Sequence, residues 1–103
     1  MDSIRRGTTP VIRCILDIGQ ANISVLWLTF SQDEEEKFTK TLSDISWEGR
    51  SFRVRLTQED TLKFKADELA DVQLRLLLID GTAMGSNTVP FLVTKVRKDG
   101  VIE

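Results

Sequence analysis

The densest cluster of side chains capable of chemistry is the run of four carboxylates from Asp33 to Glu36. Carboxylate oxygens are the ligands that calcium prefers in proteins. The run lacks the spaced Asp, Asn and Gly positions of a calcium-binding loop, and acids at a turn commonly protect the exposed end of a sheet. We therefore interpret the run as a solvated turn and predict no metal site.

A second charged feature is a basic strip, in which Arg53 and Arg55 alternate with apolar residues and Arg50 precedes them. The strip would bind an acidic partner or a phosphate, or it would be a solvated face paired with acids on neighbouring strands; we favour the solvated face. Nucleic-acid binding needs aromatic residues on the same face, and 14 basic against 16 acidic residues give no electrostatic footprint for it. We predict no nucleic-acid partner.

Residues for nucleophilic or acid–base catalysis are scarce. The chain has no histidine, which removes the commonest general base and the commonest metal ligand. Its one cysteine, Cys14, alternates with Ile12 and Leu16, a pattern typical of a buried and inert thiol. We predict no catalytic residue and no cofactor, and we do not expect an enzyme.

The elements that carry these residues are mostly strands, because apolar residues recur with a period of two. Phe52, Val54 and Leu56, for example, alternate with arginines. Thr57 followed three positions later by Asp60 indicates a capping box, which predicts one short helix near residues 58–64. About seven such strands, with turn residues at regular spacing, predict an all-β fold: an immunoglobulin-like antiparallel β-sandwich.

A chain of 103 residues is the length of one domain. We expect an N-terminal arm over residues 1–9, a sandwich over 10–98 and a C-terminal tail over 99–103. The residues predicted to form the core are apolar members of the alternating faces: Leu16, Leu28, Phe30, Phe52, Val54, Leu56, Val72, Leu74 and Leu76.

Two predicted strands, residues 23–30 and 72–79, are apolar on both faces. Ile23, Val25 and Trp27 share one such surplus face. A sandwich buries only one face of each sheet, so something else must cover the second face. The cover is the arm, the helix or a loop of this chain, or it is another protein, since a large exposed apolar patch usually marks an interface. Both alternatives remain open from the sequence.

Short motifs along nearly the whole chain resemble one protein group. They are Arg6 to Pro10, Leu56 to Leu62, Val72 to Arg75, Asp80 to Ala83 followed by Ser86 and Asn87, and Val96 to Ile102. The sequence is similar there to small virion-associated proteins encoded by tailed bacteriophages and prophages of gut Firmicutes. The resemblance implies a structural protein of the tail, neck or capsid surface, made in the bacterial host cytoplasm and located in the virion, with no active site.

The resemblance further implies that the protein works by assembly with other virion proteins and with copies of itself. No apolar run approaches the roughly 18 residues of a membrane span, so we expect no membrane partner. The residues expected at interfaces lie on the surplus apolar face or near the chain ends: Arg5, Arg6, Leu77, Ile79, Val101 and Ile102. The alternative is a virion-surface host-binding module that recognises a carbohydrate or a receptor, with Trp27 and Trp47 as stacking residues.

Overall fold

A computed structural model describes residues 2–16 and 18–103, which contain nine strands, one α-helix and two short 3-10 helices. The strands are β1 (Ser3–Arg5), β2 (Val11–Ile15), β3 (Ile23–Gln32), β4 (Glu35–Lys40), β5 (Ile45–Glu48), β6 (Ser51–Arg55), β7 (Glu68–Leu78), β8 (Ala83–Gly85) and β9 (Val89–Thr94). The helix α1 spans Gln58–Leu62, and the 3-10 helices span Gln20–Asn22 and Leu42–Asp44.

The strands form two sheets that pack face to face. The larger sheet has the order β1-β9-β7-β3-β4, with β8 beside the end of β7, and the smaller sheet has the order β2-β6-β5. All pairs are antiparallel except β1 with β9, which is parallel. The predicted all-β, immunoglobulin-like sandwich is therefore confirmed, with more strands than the seven expected and with one parallel pair.

The core lies between the sheets. There the inward-facing apolar residues of β3 pair directly with those of β7. Leu28 lies opposite Leu74, and Phe30 lies opposite Val72, so these side chains project from the same inner face. The smaller sheet contributes Phe52 and Val54 from β6, both fully buried. Aromatic rings fill the space between the sheets, with Phe30 and Phe38 stacked at 4.7 Å between centroids.

A β-bulge near the start of β3 corrects one predicted face. The sequence alternation placed Ile23 on the surplus face with Val25 and Trp27. The register with β7 shifts between Ile23 and Val25, so Ile23 lies opposite Leu78 and is buried in the core. A bulge inserts one extra residue and thereby reverses the direction of every side chain before it.

The predicted helix is confirmed as α1, and its capping box forms as expected. Thr57 Oγ1 accepts from the Asp60 N–H at 3.0 Å, and the Asp60 carboxylate accepts from the Thr57 N–H at 2.9 Å. Lys40 of β4 adds an ion pair to the same carboxylate at 2.7 Å. The helix is thus joined to the larger sheet by charge as well as by packing.

The N-terminal segment differs from the free arm that was expected. Ser3–Arg5 is strand β1, and Ile4 is buried against the core. Met1 lies outside the described residues. Arg6 donates to the Leu62 carbonyl at 3.1 Å and pairs with Asp99, which ties the segment to the end of α1 and to the tail. The alternation was too short for the sequence to indicate this parallel pairing.

Three predicted core residues, Leu16, Val72 and Leu74, are only half-buried, whereas the other six are buried. All three lie along the side of the sandwich where β2 is the edge strand of the smaller sheet. In the part of the chain that the structure describes, this sheet has three strands and leaves the β7–β8 part of the larger sheet partly uncovered. The sandwich is therefore open on one side.

No helix among the described residues has the length and apolar composition needed to cross a membrane.

Candidate functional site

The surplus apolar face predicted from the sequence is present on the outside of the larger sheet. Val25, Trp27 and Leu77 are 38%, 47% and 37% exposed. The register places Val25 opposite Leu77 and Trp27 opposite Arg75, so the four side chains form one continuous surface. We call these four residues the outer patch.

The one charged residue of the outer patch, Arg75, lies against the Trp27 ring. The Arg75 guanidinium carbon lies 5.4 Å from the centroid of the Trp27 ring, a cation–π arrangement. Ala83 of β8 lies opposite Leu77 and completes the wall of a shallow pocket of about 220 Å³. A weakly hydrated guanidinium beside an exposed indole is typical of the centre of a protein interface.

The sequence left two possible covers for this face, a segment of this chain or another protein. The first, a segment of this chain, is not observed among the described residues. Among the described residues, the N-terminal segment pairs with β9, and α1 packs beside Lys40 and Arg6, so neither shields Val25, Trp27 or Leu77 from solvent. The exposed fractions of these side chains show that the chain leaves the outer patch accessible.

The six predicted interface residues fall into two groups. Ile79 is 69% exposed just after β7, at the same end of the molecule as Leu77. Arg5 and the other terminal residues lie at the opposite end of β7, where Glu68 pairs with Val93 and Val93 with Ile4. The 11 residues of β7 separate the two groups, so the structure does not bring them into one site.

The terminal members of the set are engaged within the chain. Arg5 donates to the Lys95 carbonyl at 2.8 Å, and Arg6 is held by Leu62 and Asp99. The Gln58 amide bonds both backbone groups of Ile102, at 2.7 and 3.2 Å, while the side chains of Val101 and Ile102 stay exposed. The backbone of the tail is therefore held in place while its apolar side chains face solvent.

The basic strip is larger than the sequence indicated. Arg13 of β2 lies directly opposite Arg53 of β6, and Arg55 follows on the same outer face. Within the strip, among described residues, the ion pair is that of Arg53 with Glu48 at 2.9 Å. The expected pairing with acids therefore holds for one arginine. The alternation of residues 11–15 places Arg13 outward, but only the register reveals that it faces another arginine.

The first half of the acidic run, Asp33 and Glu34, forms the turn between β3 and β4, and Glu35 and Glu36 begin β4. Asp33 and Glu34 have φ of 56° and 62°, which gives a tight hairpin with both central residues in the left-handed region. Lys65 bonds Asp33 at 3.0 Å, and Lys37 approaches Glu35 at 3.4 Å. Across residues 2–16 and 18–103, no three Cys, Asp or Glu side chains gather in a way that could hold a metal ion.

The remaining candidates are the cysteine and the two tryptophans that the sequence singled out. Cys14 is half-buried, and burial raises the pKa of its thiol, which keeps the sulfur protonated and weakly nucleophilic. Trp47 is half-buried against Phe52, with 5.3 Å between ring centroids, whereas Trp27 is open to solvent. Of the two tryptophans proposed for stacking, Trp27 has the more accessible ring.

Comparison with protein-family models and with curated proteins found no match. Among solved structures, the chain is similar to extracellular domains 3–5 of Drosophila OTK, with 11% identity and a TM-score of 0.41. The match covers 95% of this chain and 33% of that one, so the chain spans about a third of the length of that structure.

Proposed function

We propose that the protein works by assembly with a second copy of itself through the outer patch, as a structural component of a tailed-bacteriophage virion. The single observation that supports the assembly is the uncovered apolar surface of Val25, Trp27 and Leu77 beside Arg75. The virion setting is supported by the resemblance of the chain's short motifs alone. The other virion proteins are further partners on this proposal.

The composition of the outer patch supports binding to protein. Tryptophan and arginine are enriched among the residues that contribute most to interface affinity, and charged residues other than arginine are depleted there. A two-fold contact between copies would bury the same patch twice, which doubles the apolar area removed from water. The same face would otherwise remain exposed at a free-energy cost of about 25 cal/mol for each Å² of apolar surface.

Sedimentation velocity over a range of concentrations tests the self-association. We expect the wild type to form dimers or larger species, and Leu77→Glu to remain monomeric because it places a charge within the buried contact. The matched control is Leu92→Glu, since Leu92 is 38% exposed on the same sheet but next to β1. Equal association of the wild type and Leu77→Glu would refute the outer patch as the interface.

Mass spectrometry of purified virions separately tests whether the protein is a virion component. Detection of the protein in particles, in a fixed ratio to a known capsid or tail protein, would support the virion role. A protein that is present in the infected cell but missing from the particles would exclude that role, whatever its oligomeric state.

The accessible ring of Trp27 favours a second candidate function, the host-binding module. Exposed tryptophan in a shallow pocket is a surface on which a sugar ring can stack, although Arg75 lies against the same ring. A glycan array with the wild type and with Trp27→Ala distinguishes the two functions. Sugar binding that is lost in Trp27→Ala would support the host-binding module and count against self-association through this face.

A further inference from the structure

Strand β2 has a free edge in the part of the chain that the structure describes, where it pairs with β6 alone. Leu16 N–H donates to the Arg50 carbonyl at 2.7 Å, and Leu56 N–H donates to the Pro10 carbonyl at 2.9 Å. Because the bonding side alternates along a strand, the backbone groups of Val11, Arg13 and Ile15 point to the free edge. These groups are a template on which another strand can pair.

The space beside this edge is a cleft of about 730 Å³ between the two sheets. Five consecutive residues, Pro10 to Cys14, line it. The rest of the lining consists of Asp2, Ser3, Ile4, Phe30, Val72, Val89 and Phe91. A strand that presents a face to a cavity contributes alternate residues, whereas one that presents its edge contributes consecutive residues. The cleft therefore borders the edge of β2, where an added strand would lie.

Beyond Ile15 the open side is lined mainly by apolar side chains, whereas Asp2 and Ser3 add polar groups to the cleft itself. A second cavity of about 350 Å³ continues beyond Ile15 and is lined by Leu16, Leu74 and Met84, among others. Leu16, Val72 and Leu74 are the expected core residues that remain half-buried. A fourth strand in the smaller sheet would cover them, since its inward side chains would fill the open side of the sandwich.

We propose that the free edge of β2 binds an extended segment of another protein, in which apolar side chains alternate with acidic ones. The apolar residues face the cleft beside Ile12 and Cys14. The acidic residues face outward beside Arg13, which already lies opposite Arg53 and has no acid of the described chain bonded to it. This site is separate from the outer patch and does not depend on self-association.

The charge of Arg13 and Arg53 also disfavours the simplest alternative occupant, which is strand β2 of a second copy of this chain. Two copies paired antiparallel about Arg13 would bring two Arg13 side chains together beside two Arg53 side chains, and like charges directly opposite destabilise a sheet. An acidic segment has the complementary charge. The expected binding mode is strand addition, in which main-chain hydrogen bonds supply affinity and alternate side chains supply specificity.

Fluorescence anisotropy with a labelled, end-capped synthetic peptide of alternating glutamate and valine tests the proposal. We expect it to bind at least about tenfold more tightly than the matching lysine–valine peptide at low salt, which corresponds to about 1.4 kcal/mol. Arg13→Glu should reverse this preference. A glutamate peptide N-methylated at every residue should bind weakly to the wild type, because neither of its edges can then donate backbone hydrogen bonds to β2.

Ile15→Pro tests the edge from the protein side. It removes a free-edge N–H while keeping the β6 bonds, a position where a strand tolerates proline, and circular dichroism checks that the variant is folded. Peptide affinity should fall by about tenfold, the cost of roughly one or two hydrogen bonds. Bound peptide should also slow alkylation of Cys14, which lines the cleft.

Three outcomes would overturn the proposal. The first is that neither peptide binds at millimolar concentration, and the second is that the N-methylated peptide binds as well as its parent. The third is that Ile15→Pro alters the oligomeric state of the protein alone, which would show that a second copy occupies the edge. Dependence of self-association on Leu77 is a separate result, so failure here leaves the outer patch unaffected.

Discussion

At the residue scale, Asp60 combines two roles that are usually separate. Its carboxylate caps α1 through the Thr57 N–H, and it forms the ion pair with Lys40, although Asp60 itself is buried. Burial alone raises the pKa of Asp60, but the hydrogen bonds from Lys40 and Thr57 and the charge of Lys40 together outweigh it. The pKa of Asp60 therefore lies below its ordinary value.

A carboxylate whose pKa is lowered on folding stabilises the protein above its unfolded pKa of about 4, and this contribution disappears as the pH falls through the folded pKa. We expect Asp60→Asn to lower the free energy of unfolding by about 1–3 kcal/mol at pH 7. The difference from the wild type should shrink progressively below about pH 4. Urea denaturation at a series of pH values measures it.

Glu59→Gln is the matched control, because Glu59 is the adjacent acid in the first turn of α1 but is exposed. Its effect should stay within about 0.5 kcal/mol, the range for a surface charge near a helix start. An Asp60→Asn effect as small as this, or one that is constant from pH 7 to pH 3, would show that the Lys40 pair does not stabilise the fold.

At the element scale, the β3–β4 hairpin is built with residues that do not suit its backbone. Type I′ turns favour Asn-Gly, because both central residues adopt positive φ. Here Asp33 and Glu34 occupy those positions. Asp33 and Glu34 therefore form a solvated turn at the cost of local backbone strain, and Lys65 pairs with Asp33 at its surface.

Glu34→Gly should stabilise the protein by about 0.5–1 kcal/mol, since glycine removes the left-handed penalty and loses part of that gain through its larger unfolded entropy. Thermal unfolding measures the change. Glu35→Gly provides the same change of charge at the first residue of β4, where glycine should instead destabilise by a similar amount. If both variants shift stability in the same direction, the effect comes from charge and the backbone argument is wrong.

At the scale of the whole molecule, the unequal sheets decide which apolar residues are buried. Leu74 and Leu76 lie two positions apart on the same inward face of β7, yet Leu76 is buried and Leu74 is half-buried. The larger sheet extends beyond the cover that the three-stranded sheet provides. Burial on this side therefore varies along a single strand.

Leu76→Ala should lower the free energy of unfolding by about 2–5 kcal/mol, the range for a buried leucine that leaves a cavity. Leu74→Ala should cost less, about 1–2 kcal/mol, because part of its side chain is already exposed to water. Chemical denaturation of both variants gives the comparison. Equal costs would indicate that the open side is closed in solution.

The local patterns of the sequence predicted a substantial part of this structure. Period-two alternation determined the strands and most of their inward faces, because neighbouring side chains in a strand point to opposite sides. The Thr57–Asp60 spacing determined the start of α1, since both halves of a capping box lie within four residues. The surplus apolar face was likewise predictable, because Val25, Trp27 and Leu77 are apolar where the alternation leaves no polar face.

Only the tertiary structure decided which strands are neighbours and in what register. The pairing of Arg13 with Arg53 joins residues 40 positions apart, and no local pattern encodes it. The bulge that turns Ile23 inward, the parallel strand β1 and the open side beside β2 arise in the same way. Each depends on long-range contacts, whose geometry is set by the packing of the whole chain and not by the preferences of adjacent residues.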